Sequence, residues 1–177
     1  MKHLEHMKCK KILDVGCGPG LFSAPLALQN YLVGLDVSSQ MLRLAGDSFH
    51  PVLADAVHLP FSGNTFDVVL AIETLQHSEN SEALISEVCR VVKPGGQVIL
   101  FALNRSSILH RCFMRWRKYE GLHFHDLQKV HVILGANGAA EVQTQFLGFP
   151  LPLSWGGTHD RFHAPMASSW VVSSWKR

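Results

Sequence analysis

Residues 12–20 read Ile-Leu-Asp-Val-Gly-Cys-Gly-Pro-Gly, an apolar stretch that runs directly into a loop with glycine at every second position. A second apolar stretch follows and ends at Asp36, sixteen residues after Gly20. Glycine lets a backbone turn tightly and approach a ligand closely, because it carries no Cβ. A carboxylate at the end of the neighbouring strand can accept hydrogen bonds from both hydroxyls of a ribose. Together these features indicate a ligand with a nucleoside part, bound at the open edge of a parallel sheet.

Predicted strands and helices alternate along most of the chain. Short apolar stretches predict strands, over residues 11–15, 32–37, 51–54, 66–72, 97–103, 142–149 and 170–175. Apolar residues at helical spacing and suitable capping residues predict helices, over residues 21–30, 38–48, 81–92 and 124–135. Such alternation requires right-handed crossovers, which give a mostly parallel sheet with helices on its faces.

Composition is typical of a globular domain. The 177 residues are 47% hydrophobic and 17% charged, so we expect a single domain over residues 1–177. A net charge of +2 is too small to indicate a nucleic-acid partner. The four cysteines have no paired spacing, which favours reduced thiols. Because no stretch resembles a signal peptide or reaches membrane-spanning length, we expect a cytoplasmic protein.

Four further features stand in order after the opening loop. The loop glycines fall at positions 16, 18 and 20, which differs from the dinucleotide-binding pattern Gly-x-Gly-x-x-Gly. The features that follow are Asp36, Asp-Ala-Val-His-Leu-Pro-Phe at 55–61, Phe-Asp-Val-Val at 66–69 and Arg-Val-Val-Lys-Pro-Gly-Gly at 90–96. The series resembles the class I S-adenosylmethionine-dependent methyltransferases, in the small-molecule branch that includes quinone-biosynthesis enzymes. The close resemblance runs over residues 12–101, and the rest of the chain is similar more loosely.

The resemblance implies a fold, a cofactor and a reaction. The fold would be α/β and Rossmann-like, with a doubly wound, mostly parallel seven-stranded sheet and an antiparallel C-terminal strand. The cofactor would be S-adenosylmethionine, which leaves as S-adenosylhomocysteine. The reaction would transfer the methyl group to an oxygen, carbon or nitrogen atom of a small-molecule acceptor by in-line displacement.

The resemblance assigns the opening loop to the methionine side of the cofactor. Asp14 would hold the methionine amino group through water, while the backbone of Gly16, Cys17 and Gly18 would run beside the methionine and the ribose. Gly20 has two interpretations, ligand contact or close packing of a helix on a strand. Cys17 is interpreted as a space-filling residue rather than a nucleophile, since nothing near it suggests an activating base.

The next two strand ends are assigned to the nucleoside side. Asp36 would accept hydrogen bonds from the ribose hydroxyls, and Val37 would pack on the adenine. Asp55 would accept a hydrogen bond from the exocyclic amine, and the Ala56 amide would donate to a ring nitrogen. A turn-forming role is the alternative for Asp55. The carboxyl ends of the strands form the usual ligand edge of an open α/β sheet.

The end of the fourth predicted strand is assigned to the reacting side. Glu73 and Thr74 would line the methionine and methyl-donor region, and His77 lies where acceptors approach in this family. Holding the methyl donor and the acceptor in line supplies much of the rate of an in-line displacement. A base is needed only if the acceptor must lose a proton in order to attack. An imidazole would suit that task. A structural role for His77 is the alternative, and the sequence leaves the choice open.

Two other groups of residues have their own interpretations. Histidines at 123–125 and 159–163 have spacings typical of metal ligands, but neither group forms a full ligand set, so we expect no metal. A basic run over residues 105–118 contains aromatic residues and no acid. It is either a solvated face or a cover over the acceptor pocket, with a nucleic-acid contact ranked behind both.

The acceptor is predicted to be a small apolar or aromatic molecule. The fourth strand is not followed by the Pro-Pro motif of amino-methylating DNA enzymes, and the sequence contains no Pro-Cys dipeptide for cytosine C5 chemistry. It also lacks the Asp-Asn metal site of catechol enzymes. Apolar and aromatic residues around 147–155 would line the pocket.

One departure from the family pattern concerns the segment before the first strand. Relatives carry several helices there that cover the cofactor, and residues 1–10 are too few to form them, so we expect the N-terminal lid helices to be absent. The acceptor site would then come from residues 104–128 and 150–168, or a protein partner or oligomer would supply the cover. The alternative function is a non-catalytic or partner-dependent module that binds the cofactor within a complex.

Overall fold

A computed structural model describes residues 7–104, 123, 126–148 and 167–177. Within these residues seven strands form one sheet: β1 (Lys11–Val15), β2 (Tyr31–Asp36), β3 (His50–Leu53), β4 (Phe66–Ile72), β5 (Val92–Leu103), β6 (Ala139–Gly148) and β7 (Ala167–Lys176). The α-helices of the same residues are α1 (Ser39–Ala45), α2 (Ser81–Val91) and α3 (Leu127–Ala136). Two short 3₁₀ helices span Ala24–Leu28 and Leu75–His77.

The sheet has the strand order β3-β2-β1-β4-β5-β7-β6. Strands β1 to β5 pair in parallel, and β7 lies antiparallel between β5 and β6. This confirms the predicted seven-stranded, mostly parallel sheet with an antiparallel C-terminal strand. From β1 the chain moves to β2 on one side and later returns to β4 on the other, so the strand order reverses between β1 and β4. Ligands of open α/β sheets bind in the crevice at such a reversal.

Two apolar layers enclose the sheet, one on each face. Successive side chains of a strand point to opposite faces, so Leu13 and Val15 pack with α2 and α3, whereas Ile12 packs with α1 and the first 3₁₀ helix. Residues 12–15 of β1 are buried on both faces of the sheet, which explains why all of them except Asp14 are apolar. The arrangement fixes the carboxyl ends of β1, β2 and β4 at one edge of the sheet.

The predicted helix over residues 21–30 is wrong in type and length. The chain forms turns as far as Ser23 and then the 3₁₀ helix Ala24–Leu28. The Asn30 side chain stops it, because its Nδ2 donates to the Leu26 carbonyl at 2.9 Å and to the Met7 carbonyl at 3.0 Å. Its Oδ1 accepts from the Lys10 amide at 3.0 Å, so one side chain ties the segment to the residues before β1.

Other element bounds differ by a few residues. Helix α1 begins as predicted, with the Ser38 hydroxyl accepting from the Met41 amide at 3.3 Å, and ends early at Gly46, which has a φ of +59°. Strand β5 begins at Val92 rather than at 97, since Phe66 pairs with Val92 before the register shifts. Residues 93–96, Lys-Pro-Gly-Gly, therefore lie inside the strand at its irregularity.

Several predictions fall outside the described residues. These are the interpretations of the basic run 105–118, of the acceptor-pocket residues after 148, and of the histidines at 125, 159 and 163. Of the residues before β1, the structure describes 7–10, which form no helix. In the part of the chain that is described, no helix has both the length and the apolar character needed to cross a membrane.

Candidate functional site

The glycine loop lies where the strand order reverses, directly after β1. The amides of Gly16 and Cys17 both donate to the Leu35 carbonyl, at 2.7 and 3.0 Å, which holds the loop against β2. Gly16 has a φ of +70°, and a Cβ there would overlap Thr74 Cγ2 and lie 2.5 Å from its Oγ1. Only glycine therefore lets the loop pass this close to the end of β4.

Gly18 presents an open backbone face. Its φ is +53°, and a Cβ built on it would meet no described atom within 4 Å. Gly20 differs, because a Cβ there would overlap Cε1 of Phe49, so its packing alone requires glycine. The loop thus has one glycine that faces free space, with closely packed glycines on either side of it.

The Asp36 carboxylate joins the loop to the end of β2. Its Oδ2 accepts from the Gly18 amide and its Oδ1 accepts from the Ser38 amide, both at 2.8 Å. A carboxylate offers about four acceptor positions, so each oxygen keeps capacity for a further donor. The open backbone face of Gly18 therefore lies beside carboxylate oxygens of Asp36 that can each accept a further hydrogen bond.

Asp14, near the end of β1, is a buried carboxyl with one unsatisfied oxygen. It is 3% exposed, and its Oδ1 has no hydrogen-bond partner among the described residues. Burial raises its pKa to about 7; the nearby Ser23 hydroxyl opposes the shift and the Asp36 charge adds to it. Ser23 is itself fully buried, and within the described chain its hydroxyl forms no well-aligned hydrogen bond.

The Cys17 thiol is held in its neutral form. Burial raises its pKa to about 12, and the negative charges of Asp14 and Asp36 act in the same direction. Its Sγ lies 3.5 Å from the Gly18 carbonyl. A thiol that stays protonated is a poor nucleophile, which agrees with the space-filling interpretation of this residue.

The end of β4 closes the site on its other side. The Thr74 hydroxyl donates to the Val15 carbonyl at 2.7 Å, linking β4 to the start of the glycine loop. Glu73 is exposed and has a φ of +56°, a left-handed conformation that is costly for a residue other than glycine. His77 is exposed at the end of the 3₁₀ helix, where its amide donates to the Thr74 carbonyl at 3.0 Å.

The ends of β2 and β3 carry the remaining predicted residues. Asp55 forms a turn, with its Oδ1 accepting from the Val57 amide at 3.0 Å and its carbonyl accepting from the His58 amide at 3.1 Å. Ala56, the next residue, is half-buried in that turn. The Val37 side chain is 75% exposed beside the carboxylate of Asp36. The structure thus gathers all the predicted site residues at the carboxyl edge of the sheet.

Sequence reasoning did not single out Ser23 or Phe49. Ser23 follows the glycine loop as an ordinary turn residue, and only the folded chain brings it to Asp14. Phe49 stands before β3 and packs against Gly20 and Gly34 across the sheet. Neither position carries a local sequence signal. Within the described ranges, no group of three or more His, Cys, Asp and Glu side chains is arranged to hold a metal ion.

A broad open depression at the opposite edge of the sheet is not the site. Lys11, Tyr31 and Asp67 line it, among other residues. The Lys11 ammonium lies 6.0 Å from the centre of the Tyr31 ring, and Asp67 accepts from the Lys11 amide and the Lys93 ammonium, each at 2.8 Å. These donors satisfy the Asp67 carboxylate, whereas the carboxyl edge holds the unsatisfied buried oxygen of Asp14.

Sequence comparison identifies a methyltransferase domain. Residues 13–100 match the family described as a methyltransferase domain. The chain is 38% identical over 104 residues to demethylmenaquinone methyltransferase of Streptomyces avermitilis, an alignment that covers 56% of this chain and 45% of that protein. The chain spans about half the length, or less, of the curated relatives it matches.

Comparison with solved structures shows the same fold. A SAM-dependent methyltransferase from Thermotoga maritima superposes with a TM-score of 0.80 at 20% identity, over 99% of this chain and 86% of that one. Magnesium protoporphyrin IX methyltransferase from Synechocystis PCC 6803, solved with bound S-adenosylhomocysteine, gives 0.70 at 20% identity, over 98% and 76%. Residues 13–100 therefore belong to the methyltransferase domain family, and the described fold is that of the solved S-adenosylmethionine-dependent methyltransferases.

Proposed function

We propose that this chain transfers the methyl group of S-adenosylmethionine to an oxygen, carbon or nitrogen atom of a small molecule. The observation that carries the proposal is the open face of Gly18 beside the Asp36 carboxylate, at the reversal of the strand order. The matched methyltransferase domain supports it. We also propose that residues 1–177 act as one domain, since both ends of the described chain contribute to one sheet.

The residues at the site fit this cofactor in charge and shape. Asp14 has a buried oxygen with no partner in the described chain, which suits a cationic ammonium group. Asp36 retains acceptor positions for hydroxyl donors. The exposed Val37 side chain offers an apolar surface for a flat aromatic base, and Gly18 leaves room for close approach.

When bound, S-adenosylmethionine supplies a methyl group on a sulfonium cation that is ready for displacement. Asp36 would hold the ribose, Asp55 and the Ala56 amide would hold the edge of the adenine, and Asp14 would face the ammonium. The exposed carboxylate of Glu73 would border the sulfonium and methionine side. The remaining members of the proposed site shape the backbone around the ligand: Gly16, Cys17, Gly18, Gly20 and Thr74.

Calorimetry with S-adenosylhomocysteine tests the cofactor site. We expect the wild-type protein to bind it and Asp36→Ala to bind at least tenfold more weakly, because the ribose and the Gly18 amide both lose an acceptor. Asp67→Ala, which removes a carboxylate at the opposite edge, is the matched control and should bind like the wild type. Absence of binding by the wild type would contradict the proposed function.

The acceptor is proposed to be apolar or aromatic. One relative is named a demethylmenaquinone methyltransferase and another, from humans, a ubiquinone biosynthesis O-methyltransferase, and both names refer to quinones. A panel of phenols, quinols and fatty acids in a turnover assay would identify the class. Methylation of none of them, by a protein that binds the cofactor, would contradict this choice of acceptor.

His77 is proposed as the base for a hydroxyl acceptor, taking the proton as the acceptor oxygen attacks. Its exposed position at the carboxyl edge supports access by an acceptor. We expect His77→Ala to abolish turnover while the affinity for S-adenosylhomocysteine stays within about twofold. Unchanged turnover would leave His77 with a structural role only.

We further propose that a partner, an oligomer contact or another cover lies over the apolar side chains beside the site. Leu21, Phe22 and Val37 are 78%, 48% and 75% exposed there, which supports an additional contact. Light scattering with and without S-adenosylhomocysteine would test for an oligomer; a monomer in both states would exclude self-association.

The free thiols of Cys9, Cys17 and Cys89 support a reducing compartment such as the cytoplasm.

A further inference from the structure

An uncompensated acidic group lies beneath the glycine loop. Asp14 projects to the same face of β1 as Ile12, against the apolar layer that contains Leu42 and Phe49. It is 3% exposed, and its Oδ1 has no partner among the described residues. An ionised carboxylate in such a place loses its hydration without gaining equivalent interactions.

Among the described residues, the groups that face Asp14 supply no positive charge. Asp36 at the end of β2 adds a second negative charge, Cys17 in the loop is a neutral thiol, and Ser23 offers only a hydroxyl. The two ion pairs found within the described chain, Arg90–Glu87 and Lys93–Asp67, involve neither Asp14 nor Asp36. Burial raises the pKa of Asp14 to about 7, and the charge of Asp36 pushes it in the same direction.

We propose that Asp14 holds a proton in the free protein and releases it to solvent when the ammonium group of the cofactor binds nearby. This inference rests on the proposed function. The balance is simple: the protein loses one proton from the Asp14 carboxyl, the ligand keeps its ammonium proton, and the buffer takes up the proton released. The arriving cation supplies the positive charge that the described part of the chain does not place beside Asp14.

The proposal predicts how affinity depends on pH. Between about pH 5.5 and 7 the cofactor's α-ammonium stays protonated, so the titration of Asp14 governs the effect. Lowering the pH from 7 to 6 should weaken binding by about fivefold, and the dependence should approach tenfold per unit below pH 6, because a proton must then be displaced from nearly every molecule. Above pH 7 more than half of the carboxyl is ionised, and the contribution of Asp14 to the pH dependence should fade towards pH 8.

Calorimetry at pH 6.0 in buffers of different ionisation enthalpy counts the protons released. With S-adenosylhomocysteine we expect close to one proton released per ligand bound. With 5′-methylthioadenosine, which lacks the ammonium group, we expect almost none. Equal release with both ligands would overturn the proposal, since the ammonium would then not be the cause.

Two variants sharpen the test. Asp14→Asn cannot ionise, so it should release no proton and should bind S-adenosylhomocysteine with an affinity that no longer changes between pH 5.5 and 7. Asp67→Asn, at the opposite edge of the sheet, should release as many protons as the wild type. If Asp14→Asn does not fold, as judged by circular dichroism, the comparison of the two ligands on the wild type decides the question.

The outcomes separate this inference from the proposed function. Wild-type binding of S-adenosylhomocysteine without proton release at pH 6.0 would overturn the role of Asp14 and leave the proposed function intact. No binding at pH 8, where Asp14 is ionised, would overturn the proposed function and the inference with it.

Discussion

At the scale of single residues, Gly16 and Gly18 show how two neighbouring glycines meet different demands. Both have positive φ values, but a Cβ on Gly16 would overlap Thr74, whereas one on Gly18 would enter free space among the described residues. The first glycine serves the contact between the loop and β4. The second leaves the surface on which we place the ligand.

Gly18→Ala should therefore lower affinity more than stability. We expect a loss of about 1 kcal/mol in the free energy of unfolding from the left-handed backbone, with at least tenfold weaker binding of S-adenosylhomocysteine. Gly46→Ala is the matched control, because Gly46 has a φ of +59° and equally free surroundings away from the site. It should lose similar stability in urea denaturation and no affinity in calorimetry; equal loss of affinity in both variants would contradict the assignment.

Asp14 should make stability depend on pH in the direction opposite to that of most carboxylates. Folding raises its pKa from 3.8 to about 7, so between these values the folded state binds more protons and stability falls as pH rises. The substitution Asp14→Asn removes this effect. We expect the variant and the wild-type protein to be about equally stable near pH 4, with the variant more stable at pH 8 by as much as about 4 kcal/mol. Urea denaturation at both values checks this, and equal differences at the two values would contradict it.

At the scale of elements, α2 positions the segment that follows Asp55. The Arg90 guanidinium donates to the Leu59 carbonyl at 3.0 Å and to the Phe61 carbonyl at 2.8 Å, while Glu87 Oε2 accepts from the Leu59 amide at 2.8 Å. The Glu87 and Arg90 side chains also pair with each other, at 2.6 Å. The last turn of α2 thus holds the loop over residues 55–61, which begins at Asp55, the residue proposed to bind the edge of the adenine.

Arg90→Ala should loosen this loop. Two carbonyls lose a charged donor, but the Arg90 side chain is 41% exposed, so we expect a loss of only about 1–2 kcal/mol in the free energy of unfolding. Hydrogen exchange should rise over residues 55–61 more than elsewhere. Arg43→Ala on α1, where the guanidinium donates a hydrogen bond to the Ser39 hydroxyl one turn away on the same helix, should change neither quantity measurably.

The elements differ in how well sequence alone predicts them. Strands β1 and β4 could be predicted from their apolar stretches, because a strand that is covered on both faces of the sheet carries apolar side chains on both. The 3₁₀ helix Ala24–Leu28 could not be predicted, because its end depends on the Asn30 side chain reaching carbonyls of Leu26 and Met7. The loop and Asp36 could be predicted from spacing, whereas the proximity of Ser23 to Asp14 depends on turns that carry no sequence signal.

At the scale of the whole molecule, β7 joins the last part of the chain to the parallel sheet. Its Trp170 is fully buried and belongs to the same core as Leu13 and Leu84. Strand β7 pairs with β5 over seven residue pairs and with β6 on its other side. The final strands therefore complete the core that also supports β1 and β4.

Trp170→Ala should destabilise the whole domain. Loss of a fully buried indole costs about 3–5 kcal/mol, and a single cooperative urea transition at lower concentration should report it. Trp175→Ala, on the same strand and only half-buried, should cost clearly less. A separate early transition for the C-terminal strands in Trp170→Ala would contradict the single core.

The thiol of Cys17 offers a way to watch the glycine loop move. Because the thiol is buried and burial raises its pKa to about 12, we expect it to react very slowly with alkylating reagents while the loop stays held against Leu35 and Asp36. Its rate of alkylation therefore measures how often the loop detaches, in the way that amide exchange measures local opening. Exposed Cys9, at the far edge of the sheet, reacts without any opening and provides the internal reference. Slower labelling of Cys17 on addition of ligand would give the free energy with which the ligand closes the loop, without any assay of turnover.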